Sequence, residues 1–289
     1  MTLSRQRECK RRTEMLPYLL LIPVMIFAVV FKIYPIFYSF YRSFHFNGEL
    51  SLKTYAGMFG DTAFWNALWI TIKFNIIMIP LQIVISFIMA MLVNLTIKGI
   101  GVYRSLMYLP VTISMPVAAI CWSMILNYNS GVVNSFLIQF FGMERQGFFN
   151  DANQAFWCVI ILCSWKGCGY WMMFFLAGLK GIDGSLYEAA KVDGAGFFAR
   201  LFQITIPLLK KTTLLITVAN TSINLLLFAP MKLITNGGPS GTTNVLMFES
   251  YMQAFRYGNY EKGSAITSVL VVLTLLIVFF QFKVMNEKD

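Results

Sequence analysis

Six long apolar segments constrain how this chain of 289 residues can fold. A helix that crosses a bilayer needs about 20 predominantly apolar residues, and each segment reaches that length. Only 12% of the residues are charged, whereas soluble domains average roughly 25%. We therefore predict an all-α membrane protein with six transmembrane helices in a lipid bilayer. The predicted spans are Leu16–Phe37, Ile70–Leu95, Val102–Leu126, Ala155–Leu179, Thr212–Ile234 and Ser264–Met285.

The first apolar segment follows a basic stretch, as the core of a cleaved signal peptide would. Its apolar run is longer than such a core, and no small-residue cleavage site comes after it. We therefore expect a helix that is retained in the membrane.

Lysine and arginine residues in the short connections indicate the orientation of the spans. The N-terminal stretch, the second-to-third and fourth-to-fifth connections and the C-terminal stretch hold more than twice as many of these cations as the remaining connections. We therefore predict a multi-pass protein with both termini and the fourth-to-fifth connection in the cytoplasm. Because the cations gather at the ends of apolar spans, the net charge of +10 does not indicate a nucleic-acid partner.

Several kinds of chemistry are missing from the sequence. It contains no G-x-x-x-x-G-K-[ST] loop, so we expect no ATPase in this chain. With one histidine and no paired C-x-x-C motif, no metal site and no catalytic residue is predicted. We read four of the five cysteines as small core residues, and the fifth, Cys9, lies in the basic N-terminal stretch. The four are Cys121, Cys158, Cys163 and Cys168.

The 13 acidic residues all lie outside the predicted spans. Proton relays in pumps and transporters are commonly built from intramembrane Asp, Glu or His. Their absence from the spans argues against proton coupling, and less firmly against sodium coupling, where backbone carbonyls can bind the ion. A transporter with this sequence is therefore expected to take its energy from another subunit.

A polar segment between the fourth and fifth spans carries the most specific signal. It reads Glu188-Ala189-Ala190-Lys191-Val192-Asp193-Gly194-Ala195 and continues to Ile206-Pro207. Two alanines behind a glutamate predict a helix surface with little side-chain bulk, which fits a groove on a partner. Gly194 permits a sharp turn, and Pro207 suits the first turn of the next helix.

This segment resembles the EAA loop of bacterial ATP-binding-cassette (ABC) importer permeases, in particular the carbohydrate-uptake branch. Two further stretches carry the resemblance: Trp165-Lys166-Gly167 with Tyr170, and Thr235-Asn236-Gly237-Gly238-Pro239 before an amphipathic stretch at Thr243–Phe255. Together they cover nearly the whole chain. Glycerol-phosphate permeases are also similar.

The resemblance implies a type I ABC importer permease fold with a cytoplasmic EAA coupling loop. On that basis the chain divides into a cytoplasmic basic tail at 1–15, a first transmembrane helix with its outer loop at 16–64, and a core at 65–285. A short cytoplasmic tail follows at 286–289. The coupling loop, at 182–207 within the core, is expected to dock on an ATPase through Glu188, Ala189, Ala190, Asp193 and Gly194.

The same resemblance implies four protein partners and a location. These are a second homologous permease, two ATP-binding-cassette ATPase subunits that bind ATP and magnesium, and an extracellular or periplasmic solute-binding protein. No cofactor is expected in this chain itself. The assembly would lie in the bacterial cytoplasmic membrane and import a sugar or oligosaccharide.

Polar residues within the fourth and fifth spans mark either helix contacts or a pathway, because unpaired polar groups are costly in hydrocarbon. Asn220 and Asn224 share a helix face, and their carboxamides suit either sugar hydroxyls or bonds between helices. Lys166 lies mid-helix beside Gly167 and Tyr170. It can pair with carbonyls or a partner subunit, or bind a substrate that carries negative charge. The resemblance places all five residues at the substrate site.

Two alternatives stay open. The first is a permease subunit for another solute, such as glycerol phosphate, an amino acid or an oligopeptide. The Gly237-Gly238-Pro239 turn and the aromatic stretch after it argue against the last two of these. The second is a secondary carrier or channel that works without an ATPase.

Overall fold

The computed structural model describes residues 20–46 and 48–286, and these residues are helical almost throughout. The described helices are α1 (Leu20–Ser43), α2 (Lys53–Phe59), α3 (Thr62–Val93), α4 (Ile100–Thr112), α5 (Met115–Ile125), α6 (Val132–Phe141), α7 (Ala152–Lys180), α8 (Gly184–Val192), α9 (Phe197–Leu208), α10 (Lys210–Leu225), α11 (Leu246–Tyr251) and α12 (Tyr260–Asn286). A two-residue antiparallel hairpin joins α1 to α2, with β1 at His45–Phe46 and β2 at Glu49–Leu50. The predicted tail at 1–15 and the first residues of the first predicted span lie outside the described residues.

The six predicted spans are present when each bent helix pair is counted as one span. Four helices, α1, α3, α7 and α12, are long and apolar enough to cross a membrane on their own. The third span is the pair α4–α5, bent by 96°, and the fifth includes the pair α9–α10, bent by 62°. The prediction of six transmembrane helices is therefore confirmed.

The third and fifth predicted spans are interrupted rather than continuous helices. Between α4 and α5 the backbone is extended at Ile113 and Ser114, and Pro116 lies in the first turn of α5. Pro116 has no backbone N–H to donate to the carbonyl of Thr112, so an unbroken α-helix through this point would lack that hydrogen bond. The fifth span ends as an α-helix at Leu225 and continues after a break as a π-helical turn at Met231–Thr235.

Parallel helices α3 and α7 form the centre of the bundle. Phe74 meets Phe156 edge-on at 5.7 Å between ring centroids, and Phe87 meets Phe175 in the same way at 5.5 Å. Between these two contacts, the Ser86 hydroxyl donates to the carbonyl of Cys168 at 2.9 Å. Small residues let the helices approach closely, as in other membrane bundles.

The two ends of the bundle differ in structure. One end, called the hairpin end, holds the β-hairpin, α6 and α11; the other, called the α8 end, holds α8 and α9. At the hairpin end Asp61 accepts a hydrogen bond from Lys262 Nζ at 2.6 Å and caps α3 through Ala63 N. Those two bonds lower the pKa of the Asp61 carboxyl and tie α3 to α12.

The hairpin end also holds the Gly-Gly-Pro turn. Asn236 and Gly237 both have positive φ, and the Gly238–Pro239 peptide bond is cis. The hydroxyls of Thr235 and Thr243 lie 2.6 Å apart and close the loop. The predicted amphipathic stretch after it is α11 and a π-helical turn at Met252–Arg256.

The prediction for the cysteines is right for three of the four. Cys158, Cys163 and Cys168 are buried in α7 as free thiols. Cys121, in α5, is exposed. Ala118 and Ala119 are the buried residues of α5, and Cys121 lies beside the face that they form rather than on it. Cys9 lies outside the described residues.

Candidate functional site

A cavity of about 340 Å³ lies in the middle of the bundle, between α3, α7, α10 and the bend between α4 and α5. The two predicted polar clusters face each other across it. Residues four apart in a helix share a face, which explains why α7 and α10 each contribute a cluster. All five residues predicted to bind substrate line this one cavity: Lys166, Gly167, Tyr170, Asn220 and Asn224.

A chain of three carboxamides forms one wall of the cavity. Asn224 Nδ2 donates to Asn220 Oδ1 at 2.8 Å and to Gln82 Oε1 at 3.3 Å. Gln82 Nε2 donates to the carbonyl of Cys163 at 3.1 Å, which joins α10 through α3 to α7. Among the described residues nothing accepts a hydrogen bond from Asn220 Nδ2, although this atom is buried. A buried donor without a partner is costly, and a ligand hydroxyl in the cavity would satisfy it.

Lys166 lies on the wall next to the helix break. Its Nζ is 3.5 Å from the carbonyl oxygen of Val111, in the last turn of α4. Carbonyls in the last turn of a helix have no partner within the helix, and they favour a nearby cation. Among the described residues that line the cavity, none is acidic. The cavity therefore combines one cation with amide donors and acceptors.

Tyr170 supplies an aromatic face. Its ring packs edge-on against Trp171 at 4.8 Å and at a tilt against Phe174 at 5.1 Å, while 39% of the residue stays exposed. A ring held by its neighbours on one side and open on the other offers a flat apolar surface to a ligand. Sugar rings present apolar C–H faces that such a surface can cover.

Gly167 is explained by packing between helices. A Cβ at this position would lie 2.9 Å from Gln82 Nε2, closer than van der Waals contact allows. The absence of a side chain lets the Gln82 carboxamide reach α7. Gly167 therefore shapes the wall of the cavity by making room for Gln82.

Sequence reasoning missed Gln82, which is 2% exposed and holds the carboxamide chain in place. The signal that identifies it is its position: a glutamine in the middle of the second predicted span, where polar groups are rare. No side chain in the sequence indicates the Val111 carbonyl, because this backbone group is made accessible by the bend between α4 and α5.

Replacing Gln82 by leucine should weaken substrate binding more than it weakens the fold. Leucine removes both hydrogen bonds of the carboxamide and leaves Asn224 held by Asn220 alone. We expect the substrate KM for uptake to rise on the order of tenfold, the equivalent of one lost hydrogen bond of about 1.4 kcal/mol. Uptake kinetics and the melting temperature of the purified protein measure the two effects.

Ser86→Ala is the matched control for this change. It removes a bond between the same two helices, one turn along α3, without touching the cavity. We expect it to lower the melting temperature about as much as Gln82→Leu and to leave the KM unchanged. An equal rise of KM in both variants would show that Gln82 acts only through the packing of α3 on α7.

The predicted coupling loop forms a short helix with a defined end. Asp183 Oδ1 caps α8 by accepting from Ser185 N at 3.0 Å. At the other end Ala195 N donates to Ala190 O at 2.8 Å, and Gly194 N donates to Lys191 O at 3.1 Å. This is a Schellman motif, and it requires a left-handed residue such as Gly194, whose φ is +79°.

The residues predicted to contact a partner lie on the surface of this loop. Glu188, Ala189, Asp193 and Gly194 are exposed, and Ala190 is half-buried. The Tyr187 hydroxyl lies 2.9 Å from the hydroxyl of Thr205 and fixes α8 to α9. The loop therefore presents its small and acidic residues outwards on a fixed support.

Sequence reasoning missed an apolar patch beside these residues. Val192 is 88% exposed and Phe198 is 71% exposed. Phe197 and Leu186 are also exposed. Clustered exposed apolar side chains at the end of a bundle are typical of protein interfaces. The signal was the Phe197-Phe198 pair directly after the loop's Gly-Ala-Gly turn.

Comparisons with known proteins agree with this geometry. Residues 82–288 match the family described as binding-protein-dependent transport system inner membrane components. The chain is 29% identical over 282 residues to the trehalose/maltose transport system permease protein MalF of Thermococcus litoralis, with 95% of each chain covered. It is 31% identical over 285 residues to the sn-glycerol-3-phosphate transport system permease protein UgpA of Escherichia coli (strain UTI89), with 96% of each covered.

The fold also matches a solved structure. A chain from the crystal structure of a bacterial alginate ABC transporter, in complex with an alginate pentasaccharide-bound periplasmic protein, superposes with a TM-score of 0.84. The identity is 23%, and the match covers 95% of this chain and 94% of the other. The predicted type I importer permease fold is therefore confirmed.

Proposed function

Because the chain belongs to the family of binding-protein-dependent transport system inner membrane components, we propose that it is a permease subunit that imports a carbohydrate or a related polyol compound. The observation that carries the proposal is the central cavity, which collects Lys166, Tyr170, Asn220 and Asn224 around one space. Amide donors and acceptors suit hydroxyl groups, and the open ring of Tyr170 suits the face of a sugar. The relatives named for trehalose, maltose and sn-glycerol-3-phosphate support this class of substrate.

The proposed assembly contains a second permease, two ATPase subunits and a solute-binding protein. The ATPase subunits bind ATP and magnesium and dock on the α8 end, where Glu188, Ala189, Ala190, Asp193 and Gly194 face outwards. The absence of acidic residues from the predicted spans supports an external source of energy. The whole assembly lies in the bacterial cytoplasmic membrane.

In this proposal the α8 end and both termini face the cytoplasm, and the hairpin end faces outwards. The excess of lysine and arginine in the connections of the α8 end supports this orientation. Closure of the ATPase pair moves the coupling loop, and α9, bonded to α8 through Tyr187 and Thr205, carries the motion to α10. Asn220 and Asn224 lie on α10, so the motion reaches the cavity wall directly.

An anionic substrate is favoured over a neutral one by the charge of the cavity. Lys166 lies on its wall, and none of the described lining residues is acidic. A lysine in hydrocarbon is costly unless it is paired, and a single carbonyl at 3.5 Å compensates it only in part. An acidic sugar or a glycerophosphate would complete the pairing.

Uptake by cells with and without this gene tests the proposal. The probes are labelled maltose, trehalose, an alginate oligosaccharide, sn-glycerol-3-phosphate and an amino acid. We expect loss of uptake for one or more of the sugar or polyol probes and none for the amino acid. Loss of the amino acid alone would contradict the proposal.

Co-purification and reconstitution distinguish the proposed permease subunit from a secondary carrier. When the permease is purified from the membrane in mild detergent, ATPase subunits should co-purify with it. In proteoliposomes whose ATPase subunits face the lumen, uptake should require ATP in the lumen. Uptake by the isolated chain, driven by an ion gradient, would make it a carrier that works alone.

A further inference from the structure

A second cleft of about 270 Å³ lies at the hairpin end, between α1, α12 and the segment that begins with α11. Four aromatic rings line it: Phe228, Tyr251, Phe255 and Tyr260. None of these four residues lines the central cavity.

The four rings form a continuous series. The ring of Phe228 lies 5.0 Å from that of Tyr251, Tyr251 lies 5.3 Å from Phe255, and Phe255 lies 6.3 Å from Tyr260, measured between centroids. Each step is comparable to the length of one pyranose unit. Phe228 and Tyr251 are half-buried, whereas Phe255 is 71% exposed and Tyr260 is 48% exposed. The series therefore leads from the surface into the protein.

Cations and hydroxyls accompany the rings. Lys232 Nζ lies 4.9 Å from the centre of the Tyr251 ring, and the Arg42 guanidinium lies 5.5 Å from that of Tyr260. The side chains of Ser39 and Ser264 contribute hydroxyl groups to the lining. Aromatic faces flanked by hydrogen-bonding groups suit a ligand that has both apolar C–H faces and hydroxyls, and this describes a sugar ring. Lys232 and Arg42 lie behind the rings rather than in the lining of the cleft, and Arg42 also pairs with Glu261 at 3.9 Å.

One segment of the chain contributes to both the cleft and the central cavity. Phe228 lines the cleft, and its chain neighbour Leu227 lines the cavity. Both residues lie in the break between the end of α10 at Leu225 and the π-helical turn at Met231–Thr235. Interrupted helices in transporters occur where backbone lines a cavity or pathway. The break therefore gives the two spaces a common lining segment, at a point where the chain can change conformation.

We propose that this cleft, called the ring cleft, is a carbohydrate-binding site that receives a sugar ring on its way to the central cavity. Phe255 and Tyr260 hold the ring at the surface, and Tyr251 and Phe228 pass it inwards. The inference rests on the proposed function, because it assumes a sugar or sugar-like substrate. In this inference the substrate binds first at the ring cleft, outside the central cavity, and then in the cavity itself.

The test compares two exposed aromatic residues of one segment. Phe255→Ala removes a ring of the series, whereas Tyr257→Ala removes a ring that is 65% exposed and does not line the ring cleft. Each variant is assembled with its permease partner, ATPase subunits and binding protein in proteoliposomes. The probe is whichever of labelled maltose, trehalose or alginate oligosaccharide the unaltered protein imports.

We expect Phe255→Ala to lower the rate of import at limiting sugar about five- to tenfold, from the lost ring contact. Tyr257→Ala should leave it unchanged. Phe255 is exposed, so the fold should survive, and an unchanged melting temperature checks this. A double variant, Phe255→Ala with Tyr260→Ala, should lower the rate further. Equal rates for Phe255→Ala and Tyr257→Ala would overturn the inference and leave the proposed function standing.

Docking of the binding protein is the other explanation for an effect of Phe255. To separate the two, ATPase activity is measured against the concentration of the binding protein. A sugar site leaves the half-saturating concentration unchanged in Phe255→Ala, while a docking surface raises it. A raised value, with or without sugar, would overturn the inference. Failure of the unaltered protein to import any sugar probe would overturn the inference, and failure to import sn-glycerol-3-phosphate as well would overturn the proposed function too.

Discussion

Substitution of Gly194 by valine is expected to reduce uptake to background while the protein still inserts in the membrane. Gly194 has a φ of +79°, and the two hydrogen bonds that end α8 depend on this conformation. A left-handed backbone costs an ordinary residue roughly 1–2 kcal/mol, and a β-branched one is a strong outlier there. Valine would unwind the last turn of α8 and displace Ala189 and Ala190 from the surface on which we propose that the ATPase docks.

Gly196→Val is the matched control for this prediction. Gly196 lies two residues further along the same exposed loop, and a Cβ would meet nothing within 4 Å at either position. Its φ of −69° and ψ of 176° are extended backbone, which valine adopts readily. We expect Gly196→Val to keep most of the uptake, and Gly194→Asn to keep part of it, because asparagine tolerates the left-handed region.

Two measurements decide the outcome. Uptake of the cognate probe reports transport, and recovery of ATPase subunits with the tagged permease reports docking. Both should fall together in Gly194→Val. Normal uptake in that variant would remove the assignment of α8 as the coupling helix. Equal losses in Gly194→Val and Gly196→Val would mean that added bulk, and not backbone conformation, is responsible.

Replacement of Lys166 by methionine is expected to separate anionic from neutral substrates. Methionine keeps most of the volume of the side chain and removes the charge. Import of an anionic probe such as sn-glycerol-3-phosphate or an alginate oligosaccharide should fall on the order of 100-fold, since a hydrogen bond between charged groups contributes up to about 3 kcal/mol. Import of neutral maltose or trehalose should fall much less, because Lys166 then loses only a contact to hydroxyl groups.

A second intramembrane lysine provides the control. Lys73 lies on α3 with its Nζ 4.7 Å from the ring centre of Phe156, and it does not line the cavity. Lys73→Met removes a positive charge from the bundle without changing the cavity wall, so it should affect all probes equally and weakly. Lys166→Arg should keep part of the import of the anionic probe. If Lys166→Met lowered the import of anionic and neutral probes equally, Lys166 would not recognise substrate charge. Its role would then be to cap the C-terminal end of α4.

The sequence predicted the spans and both polar clusters of the cavity. Apolar length alone identifies a span, and a spacing of four places Asn220 with Asn224 and Lys166 with Tyr170 on common faces. Neither rule states which faces meet. That the two clusters lie opposite each other followed only from the resemblance to a known family, and the structure places them around one cavity. Their role in binding substrate stays a prediction.

Other features depended on contacts that a linear pattern does not contain. The third span stays apolar across its 96° bend, so the apolar pattern gives no sign of that bend. The Gln82 carboxamide can reach α7 only because Gly167, on that helix, has no side chain. The series of rings at the hairpin end joins Phe228 to residues more than twenty positions further along. Tertiary structure alone brings such residues together.

The contrast between straight and bent helices has a mechanical consequence. Helices α3 and α7 are unbroken and are held together by ring contacts and hydrogen bonds along their length. Every interrupted element around the cavity, the α4–α5 bend and the break after α10, lies beside this pair. We expect this pair to stay rigid, and we expect the interrupted elements to move relative to it by hinge motion at their breaks. Displacements during a transport cycle are therefore best measured relative to α3 and α7, the natural fixed frame of the molecule.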